Sequence, residues 1–236
     1  VHAFQFPFAF PESQAISNDL GIEMAEEQVE ESFKDLKSKY PQLNQSWVRL
    51  TKVPGFAKDV IEKVAKEEKT DLVIMGTKGA TGLGGVFLGS ITWHVIHDLK
   101  CPVLAIPSKA KYSIPKNMAF LFDFDHIDDV PELDLLRKLA RAYGSLVHIL
   151  HIKGKYPKKH FDDVAFLDAY FSTVKHALST SLFEHFEGGV NQFIEANDIH
   201  MLVILNRKRD LMERLFHKSR TKQMAFHSRI PLLAIH

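Results

Sequence analysis

The sequence contains a single cysteine, Cys101, among 236 residues. One thiol excludes an internal disulfide framework and is typical of a reducing compartment. No apolar run reaches the ~18 residues that a membrane-spanning helix requires. The first residues, Val1 to Pro7, also lack the basic segment of a signal peptide. We therefore expect a cytoplasmic protein with no membrane partner.

The sequence also lacks a charge bias, with 30 basic and 29 acidic residues. It therefore offers no basic excess for nucleic acid or for acidic lipid, and we expect no nucleic-acid partner. Hydrophobic residues make up 45% and charged residues 25%, which is ordinary for a globular protein. The length suffices for one large domain or two small ones.

Familiar catalytic and metal-binding motifs are absent as well: there is no Gly-x-Ser-x-Gly, His-Glu-x-x-His or Cys-x-x-Cys. His94 and His97 are three residues apart on a predicted helix, but zinc would need further ligands. His148 and His151 have odd spacing on a predicted strand, so their side chains point to opposite faces. Cys101 has no evident base and is expected to be a buried small hydrophobe. We expect neither a metal site nor a catalytic residue.

Apolar segments recur along the chain in the same order. The matching pairs are Val1-His2 with Val147-His148, Asp71–Met75 with Met201–Leu205, and Cys101–Ile106 with Ile230–Ile235. The second copy opens with a predicted strand and helix that have no counterpart in the first. We therefore expect two tandem domains, 1–110 and 116–236, of which the first lacks its opening strand and helix.

Short apolar segments alternate with helical patterns in both copies. The predicted strands are 1–6, 46–53, 71–76, 102–106, 117–124, 146–152, 176–182, 200–205 and 231–235, and the predicted helices include 20–39, 56–68, 89–99 and 130–143. Such alternation indicates the α/β class with right-handed crossovers. The predicted architecture is two tandem open doubly wound parallel sheets flanked by helices.

The connection between the strand at 71–76 and the helix at 89–99 is the most informative segment. It contains Gly76, Gly79, Gly89 and Ser90 in the spacing Gly-x2-Gly-x9-Gly-Ser. Glycine permits close backbone approach, and a helix start presents unpaired N–H groups, so the combination suits a phosphate group. It is neither a P-loop nor the dinucleotide fingerprint. A purely structural alternative is that the glycines only permit tight packing of a long connection.

Gly76-Thr-Lys-Gly79, followed after nine residues by Gly89-Ser90 and then by Cys101-Pro-Val-Leu, resembles the ATP-binding signature of the universal stress protein family. The resemblance covers nearly the whole chain as two tandem family domains. It implies an adenine nucleotide alpha hydrolase-like fold that binds ATP or a related adenine nucleotide, with magnesium as an optional companion. It also implies a stress-response role through ligand-dependent conformation or assembly, with at most slow hydrolysis.

The resemblance also implies roles for individual residues. Gly76 and Gly79 would let the loop wrap the phosphates, and Lys78 would meet them as a point charge. Gly89, Ser90 and Ile91 would offer backbone N–H groups, and Ser90 its hydroxyl. Ala3 matches a position that lines the adenine pocket.

The second copy departs from this pattern. The residues corresponding to Gly76, Lys78, Gly79 and Gly89 are Asn206, Lys208, Arg209 and Lys218, whereas Ser219 is retained and Asp123 matches the family's first-strand aspartate. Side chains at glycine positions obstruct close approach to a triphosphate. Asp123, Lys208 and Ser219 are therefore weak candidates, in an altered anion site or in a degenerate partner domain, and we favour the latter.

A different class of function also fits the sequence. The chain is then an interaction scaffold that binds no nucleotide and dimerises through exposed final strands, Pro102–Ile106 and Pro231–Ile235. In the nucleotide-binding hypothesis the tandem domains form a pseudo-dimer, and a homodimer is a further option. An adenylating enzyme of similar architecture ranks last, because its loop motifs are absent.

Overall fold

The computed structural model describes residues 1–5, 16–77, 88–122, 131–152, 161–181, 186–205 and 229–236. They belong to two compact units, Val1–Thr70 and Asp71–His236. No helix within the described ranges is both long enough and apolar enough to cross a membrane.

The first unit contains a small parallel sheet and two helices. Strand β1 (His2–Phe4) pairs with β2 (Lys52–Pro54), and the helices are α1 (Ile16–Lys39) and α2 (Ala57–Glu67). Lys52 on β2 contacts two glutamates one turn apart on α1, Glu26 at 2.9 Å and Glu30 at 2.6 Å. These ion pairs join the helix to the strand, and Val29 and Val60 are buried in the same unit.

The predicted strand at 46–53 was wrong over most of its length. Only Lys52–Pro54 is a strand, and a 3-10 helix occupies Pro41–Asn44. Pro41 starts this short helix because its ring fixes φ near the helical value. The Val48 N–H then donates to the Gln45 carbonyl in a turn, and Trp47 is 79% exposed. Apolar residues in this segment therefore do not indicate a buried strand.

The second unit contains the remaining strands and four helices of the described chain. In chain order its elements are β3 (Val73–Gly76), α3 (Ser90–Asp98), β4 (Val103–Ile106), β5 (Asn117–Phe122), α4 (Asp134–Tyr143), β6 (Leu146–Ile152), α5 (Phe161–Phe171), β7 (Lys175–Ser181), α6 (Phe186–Ala196), β8 (Met201–Leu205) and β9 (Leu232–Ile235). Seven strands form one sheet in the order β3-β4-β9-β8-β5-β6-β7. All neighbouring strands are parallel except β4 and β9.

Strand β5 lies in the interior of this sheet, between β8 and β6. Its residues from Met118 to Phe122 are all buried, as expected for a continuous apolar strand in a parallel sheet covered on both faces. Phe120 and Phe171 are both completely buried and their rings approach within 6.2 Å, so β5 packs directly against α5. This packing forms the centre of the core.

The expectation that the final strands are exposed edges was wrong. Strands β4 and β9 pair antiparallel within the chain, with Val103 opposite Ala234 and Ala105 opposite Leu232. All four of these residues are fully buried. Strand β9 also pairs with β8, so both of its edges are occupied. The scaffold hypothesis loses the free edges through which it would dimerise.

The α/β fold class is confirmed, with parallel strands flanked by helices. The contacts group residues 71–106, which the sequence assigns to the first copy, with the second unit, because β4 pairs with β9. The limits of the two tandem domains, 1–110 and 116–236, stay a prediction.

Candidate functional site

The C-terminal end of β3 forms one side of the candidate site. Strand β3 pairs with β4 from Val73, opposite Val103, to Gly76, opposite Ile106. The Thr77 N–H then donates to the Ile106 carbonyl at 3.0 Å, which extends the ladder by one residue. Gly76 is exposed. Open α/β sheets bind ligands at such carboxyl ends.

The N-terminus of α3 forms the other side. Gly89 is the N-cap in an extended conformation, and its carbonyl accepts the first helical hydrogen bond, from the Trp93 N–H at 2.9 Å. No side chain of the described residues caps this helix. Ser90 and Ile91, the first two helical residues, are exposed. Their N–H groups precede the first helical donor, the Trp93 N–H, so the helix itself offers them no acceptor.

Two hydrogen bonds bring these two sides together. The Gly89 N–H donates to the Thr77 carbonyl at 2.6 Å, and the Thr92 hydroxyl donates to the Gly76 carbonyl at 2.9 Å. The end of the strand therefore lies against the first turn of the helix. As a result, four predicted site residues lie in one place: Gly76, Gly89, Ser90 and Ile91.

The electrostatics at this place favour an anion. The first turn of α3 contains no acidic residue, and the positive end of the helix dipole lies there. The His94 Nδ1 atom lies 2.7 Å from the Ser90 carbonyl. Because a carbonyl only accepts, Nδ1 carries a proton in this contact, and the imidazole folds back on its own first turn. A helix N-terminus beside a glycine-containing strand end is suited to a phosphate group.

The remaining predicted site residues lie in the other unit or outside the described residues. Ala3 belongs to the first unit, where it is half-buried on β1 opposite Val53. Lys78 and Gly79 lie outside the described residues. The second-copy candidates Asp123, Lys208 and Ser219 also lie outside the described residues. Their roles stay predictions.

His94 and His97, the pair considered as zinc ligands, both have local partners. His97 contacts Asp98 through Nδ1 at 2.5 Å. In the described part of the chain, no three His, Cys, Asp or Glu residues come together as a metal site. Cys101 is half-buried rather than buried, and burial raises the pKa of its thiol. A raised pKa lowers the thiolate fraction and makes this cysteine a poor nucleophile.

Sequence reasoning missed Thr92, which is only 3% exposed and supplies one of the two bonds across the site. A signal was present in the sequence. Thr92 shares the buried stripe of α3 with Val95 and Ile96, and a polar residue on such a stripe needs a hydrogen-bond partner. That partner is the Gly76 carbonyl, sixteen residues earlier in the chain.

Comparisons with known proteins show which family this chain resembles. Residues 7–107 match the model of a family described as the universal stress protein family. The chain is 52% identical over 56 residues to universal stress protein E homolog of Haemophilus influenzae, which is 23% of this chain and 18% of that protein. It is 31% identical over 96 residues to a universal stress protein of Methanocaldococcus jannaschii, 39% of this chain and 54% of that protein. The matches thus span about half or less of these relatives.

A solved structure extends the similarity to the whole fold. The crystal structure of a universal stress protein from Archaeoglobus fulgidus superposes with a TM-score of 0.66, covering 99% of this chain and 85% of that one. The sequence identity is 18%, so this likeness concerns the fold alone. The fold is thus that of a known universal stress protein, with parallel strands flanked by helices.

Proposed function

Residues 7–107 are a domain of the universal stress protein family, and on that premise we propose that this protein binds ATP or a related adenine nucleotide in a stress response. The ligand would act by changing the conformation or assembly of the protein. No residue is assigned to catalysis, and hydrolysis would be slow at most. The cytoplasm is the compartment we predict.

One observation carries the proposal: the end of β3 is bonded to the N-terminus of α3, which no side chain of the described residues caps. The bond between the Gly89 N–H and the Thr77 carbonyl, 2.6 Å long, draws the strand end to the helix start. N–H groups at a helix start bind phosphate with favourable charge and geometry. The first turn of α3 contains no acidic side chain that would repel the ligand.

Each residue would have a definite role in this proposal. Ser90 and Ile91 would donate backbone N–H groups to a phosphate, and Ser90 would add its hydroxyl. Gly76 and Gly79 would allow the backbone to approach the phosphates, and Lys78 would neutralise charge. Ala3 would contact the adenine. A bound magnesium ion would neutralise phosphate charge further, and Asp123, Lys208 and Ser219 stay weak candidates.

The test is titration calorimetry of the full chain with ATP, comparing wild type with Ser90→Asp. An aspartate at the first turn favours the helix by about 0.3–1 kcal/mol, because it complements the dipole. The same carboxylate would repel a phosphate at that point. We expect Ser90→Asp to lose ATP binding while its thermal stability is unchanged or higher, so the loss cannot be attributed to unfolding.

The matched control is Ser219→Asp, which adds the same charge at the corresponding serine of the second copy. We expect this variant to bind ATP like the wild type. The proposal fails if wild type releases no heat with ATP. It also fails if Ser90→Asp binds normally, and loss of binding in Ser219→Asp alone would assign the nucleotide to the second copy instead.

A further inference from the structure

We propose that Thr92 is a positioning residue for the nucleotide site: its hydroxyl fixes the end of β3 against the first turn of α3. The inference rests on the proposed function, because its effect is on how that site holds phosphate. The observation behind it is the 2.9 Å bond from the Thr92 Oγ1 to the Gly76 carbonyl.

The methyl group and the hydroxyl group of Thr92 have different roles. Thr92 is 3% exposed and lies on the buried stripe of α3, one turn before the completely buried Val95 and Ile96. Its methyl group therefore belongs to the packed face. In helices a threonine hydroxyl commonly bonds the carbonyl three or four residues earlier. Here the hydroxyl donates to a strand sixteen residues earlier instead.

This bond controls the direction of one carbonyl group. A carbonyl oxygen carries partial negative charge, so a free Gly76 carbonyl turned toward the ligand would repel a phosphate. The hydrogen bond from Thr92 holds the Gly76 carbonyl toward the helix. The neighbouring Thr77 carbonyl is held in the same way by the Gly89 N–H at 2.6 Å. Two successive carbonyls are thus bonded to α3, beside the exposed residues Ser90 and Ile91.

The two bonds also fix the relative position of Gly76 and Ser90. An anion that contacts both Gly76 and Ser90 binds more tightly when their separation is already fixed. The reason is that preorganised groups do not have to be ordered when the ligand binds. With the Thr92 bond removed, Gly76 keeps its ladder to β4 but loses its direct link to the helix. We therefore expect weaker nucleotide binding in a protein that is still folded.

The experiment compares Thr92→Val and Thr92→Ser by titration calorimetry with ATP. Valine keeps the shape and removes the donor, and loss of one such hydrogen bond should weaken ATP binding about five- to tenfold. Serine keeps the donor and should restore affinity to within about twofold of wild type. If Thr92→Ser is as weak as Thr92→Val, the methyl packing matters and the inference is wrong.

Ser145→Ala is the matched control, because the Ser145 hydroxyl also donates to a backbone carbonyl in the buried interior, that of Pro115 at 2.6 Å. This variant loses an equivalent bond away from α3, and we expect its ATP affinity to equal that of wild type. An equal loss of affinity in Ser145→Ala and Thr92→Val would mean that general destabilisation, rather than positioning, weakens binding.

A second readout does not depend on nucleotide. Amide exchange of Gly89, whose N–H bonds Thr77, should accelerate about tenfold in Thr92→Val and stay slow in Thr92→Ser. Unchanged exchange together with unchanged ATP affinity overturns the role of Thr92 and leaves the proposed function standing. Absence of ATP binding in the wild type overturns the proposed function, and the role of Thr92 in it.

Discussion

The imidazole of His148 meets the ring of Phe193 in a T-shaped contact, with ring centroids 5.7 Å apart and ring planes at 80°. His148 lies on β6 and Phe193 on α6, so the contact joins the sheet to a helix. The strand neighbours of His148 are Ala119 and Ala177, whose small side chains leave room for the imidazole. His148 is 9% exposed, and in the described part of the chain its Nε2 atom has no hydrogen-bond partner. Burial lowers the pKa of His148, because it disfavours the charged imidazolium in the folded protein.

We predict that acid weakens the fold through His148. Because its folded-state pKa is lowered, the unfolded chain takes up a proton that the folded chain does not, once the pH falls below about 6.5. The free energy of unfolding should then fall by at most about 1.4 kcal/mol per pH unit. Urea unfolding at pH 7.5 and 5.5 measures this, and His148→Leu should lose less stability on acidification than wild type. Equal losses in the two proteins would contradict the prediction.

His176 should respond to pH in the opposite sense. Burial works against its charged form, but hydrogen bonds to the Val174 carbonyl and to Asp168, 3.0 and 2.9 Å long, leave the pKa of His176 raised. Its stabilising contribution is therefore present below about pH 6.5 and is lost as the pH rises through the raised pKa. Asp168→Asn should lower the His176 pKa in an NMR titration and destabilise the protein more at pH 5.5 than at pH 8.

The control for this pair is Asp198→Asn. Asp198 lies 3.8 Å from the His200 Nε2 atom and its side chain is 90% exposed, so water screens the contact. We expect its removal to leave stability unchanged at both pH values. An Asp168→Asn protein that behaves in the same way would show that the His176 contact is also screened.

The buried strands could be predicted closely from the sequence. Met118 to Phe122 and Met201 to Leu205 are unbroken apolar runs, and every residue of both is buried, as in strands covered on both faces of a sheet. The start of α3 was also predictable, because Gly89-Ser90 is a strong helix-start pattern. The sequence thus located both sides of the candidate site, at the end of a strand and at the start of a helix.

Long-range choices could not be predicted in the same way. The antiparallel pairing of β4 with β9 depends on which two strand edges meet, and an apolar pattern does not specify a partner. The hydrogen bond from Thr92 to Gly76 joins residues on different elements. The sequence indicated only that Thr92, on the buried stripe of α3, needs a hydrogen-bond partner, and it did not indicate which one. The segment at 46–51 contains Trp47 and Val48, but Pro41 and the turn after it override their strand propensity.

Gly144 should be a sensitive position for reasons of backbone geometry alone. It ends α4 in the left-handed conformation, with φ of 64°, and no described residue beyond its neighbours in the chain comes within 4 Å of a Cβ added there. We expect Gly144→Ala to cost about 1 kcal/mol because of that conformation, and Gly144→Asn to cost less. Urea unfolding measures both values.

Gly55 provides the comparison for that prediction. Its φ is 137°, and an added Cβ would approach the Val60 Cγ2 atom to 3.2 Å. Gly55→Ala combines backbone strain with a steric contact, so it should be more destabilising than Gly144→Ala. The reverse order, or a Gly144→Ala protein as stable as wild type, would mean that the helix end relaxes without cost.

The pairing of β4 with β9 predicts how the final strands exchange their amide protons. Leu104 lies opposite Leu233, and β9 has β4 on one side and β8 on the other, so its hydrogen bonds form within a single chain. Slow exchange over 103–106 and 232–235 should therefore be independent of protein concentration. Had these strands been free edges that dimerise, protection would increase with concentration, because a second copy would supply the partners. Exchange measured by mass spectrometry across a hundredfold dilution distinguishes the two cases, and protection that is lost on dilution would contradict the intramolecular pairing.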